Sequence, residues 1–222
     1  MAAPRVDRWL RWGVKPLVFL LCLLPLAKVA AGIAGVGGIR LGADPVEEIL
    51  ETFGKWTLNF LLVTLCVTPL RQLTGFNDLV RFRRMLGLFA FTYACLHFAT
   101  YLVLDRGLEW NAIVVDLAKR PYITIGFTAL VLLFPLALTS TRGMMRRLGK
   151  RWQKLHRLVY VIAILGVWHF YWQVKLDVRE PLIYAAILAV LLGYRFWRYR
   201  QRASKAAAAQ GATATAESGR AG

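Results

Sequence analysis

Six apolar stretches dominate this sequence, at about 14–37, 48–70, 86–104, 121–139, 156–174 and 181–197. Each runs to roughly 20 residues, the length at which an α-helix crosses the ~30 Å hydrocarbon core of a bilayer. A segment inside lipid must satisfy its own backbone hydrogen bonds, and a single apolar run can do so only as a helix. The sequence therefore predicts an all-α, polytopic membrane protein built as a bundle of six transmembrane helices. Composition agrees: 58% of residues are hydrophobic and the mean hydropathy is +0.49, against roughly 45–50% apolar residues in soluble domains. Six spans consume most of the 222 residues, which leaves short loops and no room for a soluble catalytic domain. The expected organisation is a cytoplasmic N-terminus at 1–13, a transmembrane domain at 14–200 and a disordered cytoplasmic tail at 201–222. The tail reading rests on the low-complexity run KAAAAQGATATAESGRAG. No internal repeat is evident.

The formal charge of +17 would suggest nucleic acid in a soluble protein. Here the basic residues sit in clusters between spans. Arg5, Arg8, Arg11 and Lys15 open the chain, Arg71 to Arg84 lie between spans two and three, Arg142 to Lys154 between spans four and five, and Arg195 to Lys205 at the end of span six. The alternate loops hold few cations (Arg40, Arg106, Lys119, Arg120, Lys175, Arg179) and most of the acids, among them Asp44, Glu47, Asp105, Asp116 and Glu180. By the positive-inside rule both termini face the cytoplasm. The charge reports topology, and no nucleic-acid partner is expected.

The basic start and apolar run of span one resemble a secretory leader, but the run continues through Gly38, beyond a usual leader core, so the helix is expected to be retained. Cys22, Cys66 and Cys95 all fall within spans, with no C-x-x-C and no C-x-x-C-H. Neither a disulfide framework nor covalent haem attachment is supported. Lys28, inside span one, reads as a lysine whose ammonium snorkels to the interface. Walker A, G-x-G-x-x-G, G-x-S-x-G and H-E-x-x-H patterns are absent, so nucleotide hydrolysis and protease chemistry have no support.

The chemistry concentrates in three histidines, His97 in span three and His156 and His169 in span five. Imidazole is costly in hydrocarbon unless hydrogen-bonded or ligating a metal, and none of the three is in a loop. His97 follows Arg84, at the start of span three, by the same 13 residues (97 − 84) that separate His169 from His156 (169 − 156). Both helices run in the same direction, so His97 and His169 sit about 20 Å into the membrane at matching depth. Two facing imidazoles can clamp a haem iron. His156 lies a further ~20 Å along its helix, placed for a second haem. Thirteen residues leave the two side chains of span five about 140° apart on an ideal helix, so a kink is expected, with Gly166 as a place for it. Span three offers Arg83 and Arg84, not a histidine, at the depth of His156. A second haem would need Met85, water or five-coordination. Arg83, Arg84, Arg151 and Arg157 are placed to pair with haem propionates or a flavin phosphate near the inner surface.

The segments RRMLGLFAFTYACLHFATY, KRPYITIGF, LGKRWQKLHRLVY and WHFYWQVK, with GKWTLNFLLVTLCVTPLR in span two, resemble the MsrQ (YedZ) family. The resemblance covers about residues 10–200. More distantly they resemble the ferric reductase-like transmembrane domain shared with NADPH oxidases. The resemblance implies a bacterial inner-membrane protein that binds b-type haem, one or two per chain, and FMN. His97, His156 and His169 match the family's haem ligands. It also implies a periplasmic molybdenum-cofactor reductase, MsrP, as heterodimeric partner, with the quinol pool or a cytosolic flavin reductase as electron donor. On that reading the chain is an electron-transfer subunit with no sulfoxide chemistry of its own. The competing expectations are a histidine-dependent proton or solute transporter, which repeat symmetry and interrupted helices would favour, and a non-redox membrane anchor.

Overall fold

The computed structural model describes the backbone of residues 10–174 and 176–218 and the side chains of residues 12–174 and 176–204. Arg5, Arg8, Arg11, Lys175 and Lys205 lie outside the described side chains. Among the described residues there are helices and no strands. The helices are α1 (Lys15–Ala34), α2 (Pro45–Thr74), α3 (Val80–Thr100), α4 (Trp110–Lys119), α5 (Pro121–Leu138), α6 (Arg142–Leu148), α7 (Lys150–His156), α8 (Leu158–Gln173) and α9 (Arg179–Ser218). Six of the stretches they form are long and apolar enough to cross a membrane, one for each run in the sequence.

The helices overshoot the apolar runs because their ends are set by caps, which hydropathy does not register. At the start of α2 the Asp44 carboxylate accepts the Glu47 N–H at 3.0 Å, Pro45 occupies the first turn where no N–H is needed, and Glu47 and Glu48 face the positive end of the helix dipole. At the other end Gly75, at φ +75°, takes the left-handed turn that closes the helix onto the Arg71 carbonyl. Helix α9 continues to Ser218, past residue 200, where composition alone reads as tail. Alanine is the strongest helix former, and extending an existing helix avoids the cost of nucleation.

The core of the bundle is two helical hairpins, α2–α3 and α5–α8, which touch each other through α2–α8 and α3–α5. Helix α1 packs on the first hairpin, and α9 lies against α8 and α2. Phe53, Phe60, Phe89, Tyr93, Leu133 and Ile162 form one buried cluster, and Leu58, Leu62, Leu65, Ala163, Val167 and Leu188 another. Within the first, Phe60 meets Phe89 at 5.7 Å and Tyr93 at 5.3 Å between ring centres. Tyr93 also ties α1 down. Its hydroxyl donates to the Cys22 carbonyl at 2.8 Å and accepts the Leu26 N–H at 3.1 Å, bridging two groups that an unbroken helix bonds directly. Pro25 sits between them, where a helix is weakened by the missing N–H.

Span five tightens for one turn at Arg157 (φ −68°, ψ −20°), between α7 and α8, and stays helical through it. Gly166, the expected kink, lies inside an uninterrupted helix. Its lack of a side chain serves packing, since a Cβ there would come within 2.9 Å of Leu58 Cδ2. Lys28 is exposed on α1, in keeping with a snorkelling side chain.

Candidate functional site

His97 on α3 and His169 on α8 come together between the two hairpins, with ring centres 6.0 Å apart and ring planes at 80°. Both line one cavity of about 780 Å³, within the usual range for a cofactor site. Each ring is held the same way. His97 Nδ1 lies 2.9 Å from the Leu50 carbonyl of α2, and His169 Nδ1 lies 2.7 Å from the Tyr122 carbonyl of α5. A carbonyl can only accept, so both Nδ1 atoms carry the proton. In the neutral imidazoles this leaves the lone pair on Nε2, the arrangement that fixes a metal-ligating histidine.

Glycines make this approach possible. One turn after each carbonyl stands Gly54 or Gly126. A Cβ at Gly54 would lie 3.2 Å from His97 Nδ1, and one at Gly126 would lie 2.8 Å from His169 Nδ1. Both ring contacts exist because those side chains are missing.

The two halves are a repeat. Tyr122, Gly126 and His169 follow Leu50, Gly54 and His97 by 72 positions (122 − 50, 126 − 54 and 169 − 97), and each histidine is 47 residues from its carbonyl. The same offset pairs Leu58 with Leu130, Leu61 with Leu133 and Phe98 with Phe170, and all six line the cavity. The hairpins run through the bundle in the same sense, so the repeat is a parallel one. The repeat is not evident from sequence because the matching residues are few and mostly apolar, in chains of apolar residues.

The geometry can be tested against a metal held from both sides. A metal–imidazole bond of about 2 Å plus the ~1.1 Å from nitrogen to ring centre, taken twice, sets two rings about 6 Å apart. The observed separation agrees. Among the described residues no group of three or more His, Cys, Asp or Glu could hold a bare ion. Two imidazoles are a sufficient set for a metal that brings its own equatorial ligands, as haem iron does. The apolar, repeated walls suit a flat group with two similar faces.

His156 stands apart, outside this cavity. Its ring stacks on Trp152 at 3.9 Å, its Nδ1 is 3.2 Å from the Trp152 carbonyl, and its Nε2 is buried without a hydrogen bond. The repeat relates it to Arg84 (156 − 72), which is exposed. Of the arginines singled out from sequence, Arg84, Arg151 and Arg157 are exposed and Arg83 is half-buried; none of the four lines the cavity. Met85 is half-buried against the first apolar cluster. The cations that do line the cavity are Lys55, Arg106 and Arg120. Lys55 is engaged by Glu51 at 3.2 Å and Glu180 at 2.9 Å.

A six-span bundle with paired histidines facing across its core belongs to a recognised class. Residues 53–167 match the family described as "Ferric reductase like transmembrane component". Within that class the chain is a member of the MsrQ family. It is 54% identical over 189 residues to the protein-methionine-sulfoxide reductase heme-binding subunit MsrQ of Xanthomonas euvesicatoria pv. vesicatoria (strain 85-10), covering 84% of this chain and 87% of that one. It is 51% identical over 200 residues to the MsrQ of Herminiimonas arsenicoxydans, covering 88% and 90%.

Proposed function

We propose that this chain is a membrane b-type cytochrome that carries electrons across the inner membrane to a periplasmic molybdenum-dependent protein-methionine-sulfoxide reductase, MsrP. In that role it supports repair of oxidised periplasmic proteins and performs no sulfoxide chemistry itself. The observation that carries the proposal is the His97–His169 pair, two imidazoles whose Nδ1–H groups donate to backbone carbonyls, leaving the Nε2 lone pairs unused, with ring centres 6.0 Å apart. Haem supplies a one-electron couple; the chain's residues hold it, orient it and keep water from it. The names of the relatives support haem as the ligand and a methionine sulfoxide reductase as the system served.

The basic end of the bundle faces the cytoplasm on this reading. His97 and His169 then lie in the periplasmic half, where a docked reductase would take electrons. His156, half-buried against Trp152, is the remaining histidine for a second haem nearer the cytoplasm. With Arg84 at the equivalent position of α3, that haem would be five-coordinate or use a ligand other than histidine. The electron donor is the quinol pool or a cytosolic flavin reductase, and FMN belongs on the donor side. Arg83, Arg84, Arg151 and Arg157 remain candidates for an anionic group at that inner surface. The repeat is a feature that a transporter would share, but two facing histidines locked by backbone carbonyls favour the cytochrome.

Absorbance of the purified protein, oxidised and dithionite-reduced, with haem counted per chain, tests the proposal. A reducible b-type spectrum is expected, lost or reduced by one haem in His97→Ala and in His169→Ala. A full haem complement in either variant contradicts the assignment. A colourless protein from haem-replete cells would return the transporter or anchor.

A further inference from the structure

At the basic end of the bundle one arginine is drawn inward by a proline. Pro69 leaves the Leu65 carbonyl of α2 without its helical N–H donor. Leu65 is fully buried, so an unmade bond there would be costly. Arg195 of α9 supplies the donor, its Nη2 reaching the Leu65 carbonyl at 2.6 Å. Its Nη1 donates to the Tyr160 hydroxyl of α8 at 2.7 Å, and the guanidinium carbon lies 5.1 Å from the Tyr160 ring centre. Arg195 thus joins three helices through partners that are all neutral, and its charge stays uncompensated.

Two more cations converge on it. Arg83, half-buried in the first turn of α3, is repelled by Arg195 and by Arg71, which stands in the last turn of α2. Neither guanidinium, Arg71 or Arg83, makes a hydrogen bond or ion pair among the described residues. Asp78 is the one acid among the described side chains at this end, and Arg81 holds it at 3.1 Å. The repeat relates Arg71 and Arg83 to Gly143 (71 + 72) and Leu155 (83 + 72), so the second hairpin has no such convergence. Like charges brought together from three helices without a carboxylate call for an anion from outside the chain.

The flanks of the cluster indicate its chemistry. Leu70 and Leu73 lie near Arg71 on α2, Phe196 and Trp197 follow Arg195 on α9, and all four are exposed. The Tyr194 hydroxyl donates to Gln72 Oε1 at 3.1 Å and closes the seam between those two helices at the same level. Exposed aliphatic and aromatic side chains at the end of a membrane-spanning helix meet acyl chains. We propose that Arg71, Arg83 and Arg195 form a binding site for the phosphate of an anionic phospholipid, where α2, α3 and α9 meet at the basic end. Arg71 and Arg83 supply charge-assisted donors to the phosphate oxygens, and Arg195, engaged by Leu65 and Tyr160, supplies charge. Basic pockets between transmembrane helices hold lipid headgroups in this way. The bound lipid then fastens α9, which lies outside the repeat, to the first hairpin.

The test is native mass spectrometry of the full-length chain in a mild detergent, titrated with phosphatidylglycerol or with zwitterionic phosphatidylcholine. The first phosphatidylglycerol should bind at least about fivefold more tightly than phosphatidylcholine. Arg71→Gln and Arg83→Gln should each weaken it by about fivefold, the effect of one basic residue. Arg83→Lys keeps the charge, should retain part of the preference, and serves where a glutamine variant does not accumulate. Arg147→Gln, which removes an exposed cation of α6 at the same end, should change nothing. Equal affinity for the two lipids, or an equal loss in Arg147→Gln, would mean general attraction to a basic surface and would overturn the site. Displacement of the lipid by millimolar inorganic phosphate would make the ligand a soluble phosphate and would overturn the lipid assignment. None of these readouts involves haem, so the result stands apart from the cytochrome reading.

Discussion

At the scale of single residues, the candidate site depends as much on absent side chains as on present ones. Gly54 and Gly126 let each imidazole reach a carbonyl that is already part of a helix. Adding a methyl at position 126 places it 2.8 Å from His169 Nδ1, closer than the 3.2 Å at position 54. Gly126→Ala should therefore weaken haem retention roughly ten- to hundredfold, the range expected for forced overpacking, and Gly54→Ala by less. Haem per chain after purification checks both, and the reverse order would contradict the geometry. The histidines were legible in the sequence because lipid makes an imidazole expensive and all three fall in spans. Their partners were not. Backbone carbonyls carry no residue signature, and a glycine in a transmembrane helix reads first as a packing site. Arg106 and Arg120, which line the cavity, carry no such signal, because two cations in a loop rich in acids do not stand out in the sequence.

Among the helices, the sequence marked the six spans well because apolar length is a strong signal, and marked their ends poorly because caps such as Asp44 lie outside the apolar windows. The docking of α1 is a tertiary feature with no local pattern at all. Besides apolar packing through Phe19, Cys22 and Val29, it uses a tyrosine from α3 that repairs a helix weakened by Pro25. Tyr93→Phe should cost about 1 kcal/mol, since the Cys22 carbonyl and Leu26 N–H can partly rebond. For a protein of this size that is a fall of about 2–4 °C in thermal midpoint, with haem content unchanged because Tyr93 does not border the cavity. Loss of haem in this variant would mean that α1 shapes the site.

The whole molecule joins two similar hairpins around one cavity, with charge distributed so that one end is basic. The orientation assigned to that end can be tested with single cysteines at exposed positions. The native thiols Cys22, Cys66 and Cys95 all sit on helices within spans. Gly143, with open space around it, lies at the basic end, and Asn111 is exposed on α4 at the other. In intact cells a thiol reagent that cannot cross the inner membrane should label Asn111→Cys and spare Gly143→Cys. The opposite pattern would invert the topology and, with it, the direction in which electrons are carried.

The central claim is that His97 and His169 bind one iron from opposite faces, and their 80° ring angle gives it a spectroscopic signature. Each imidazole interacts with the iron d orbital that matches its own plane, so perpendicular rings leave the two orbitals nearly equal in energy, whereas parallel rings split them. The measurement is the low-temperature EPR spectrum of the ferric protein. Perpendicular bis-histidine ligation predicts a low-spin signal dominated by a single, strongly shifted low-field feature, removed by His97→Ala or His169→Ala. A high-spin spectrum, or a rhombic low-spin spectrum unaffected by either substitution, would contradict the account.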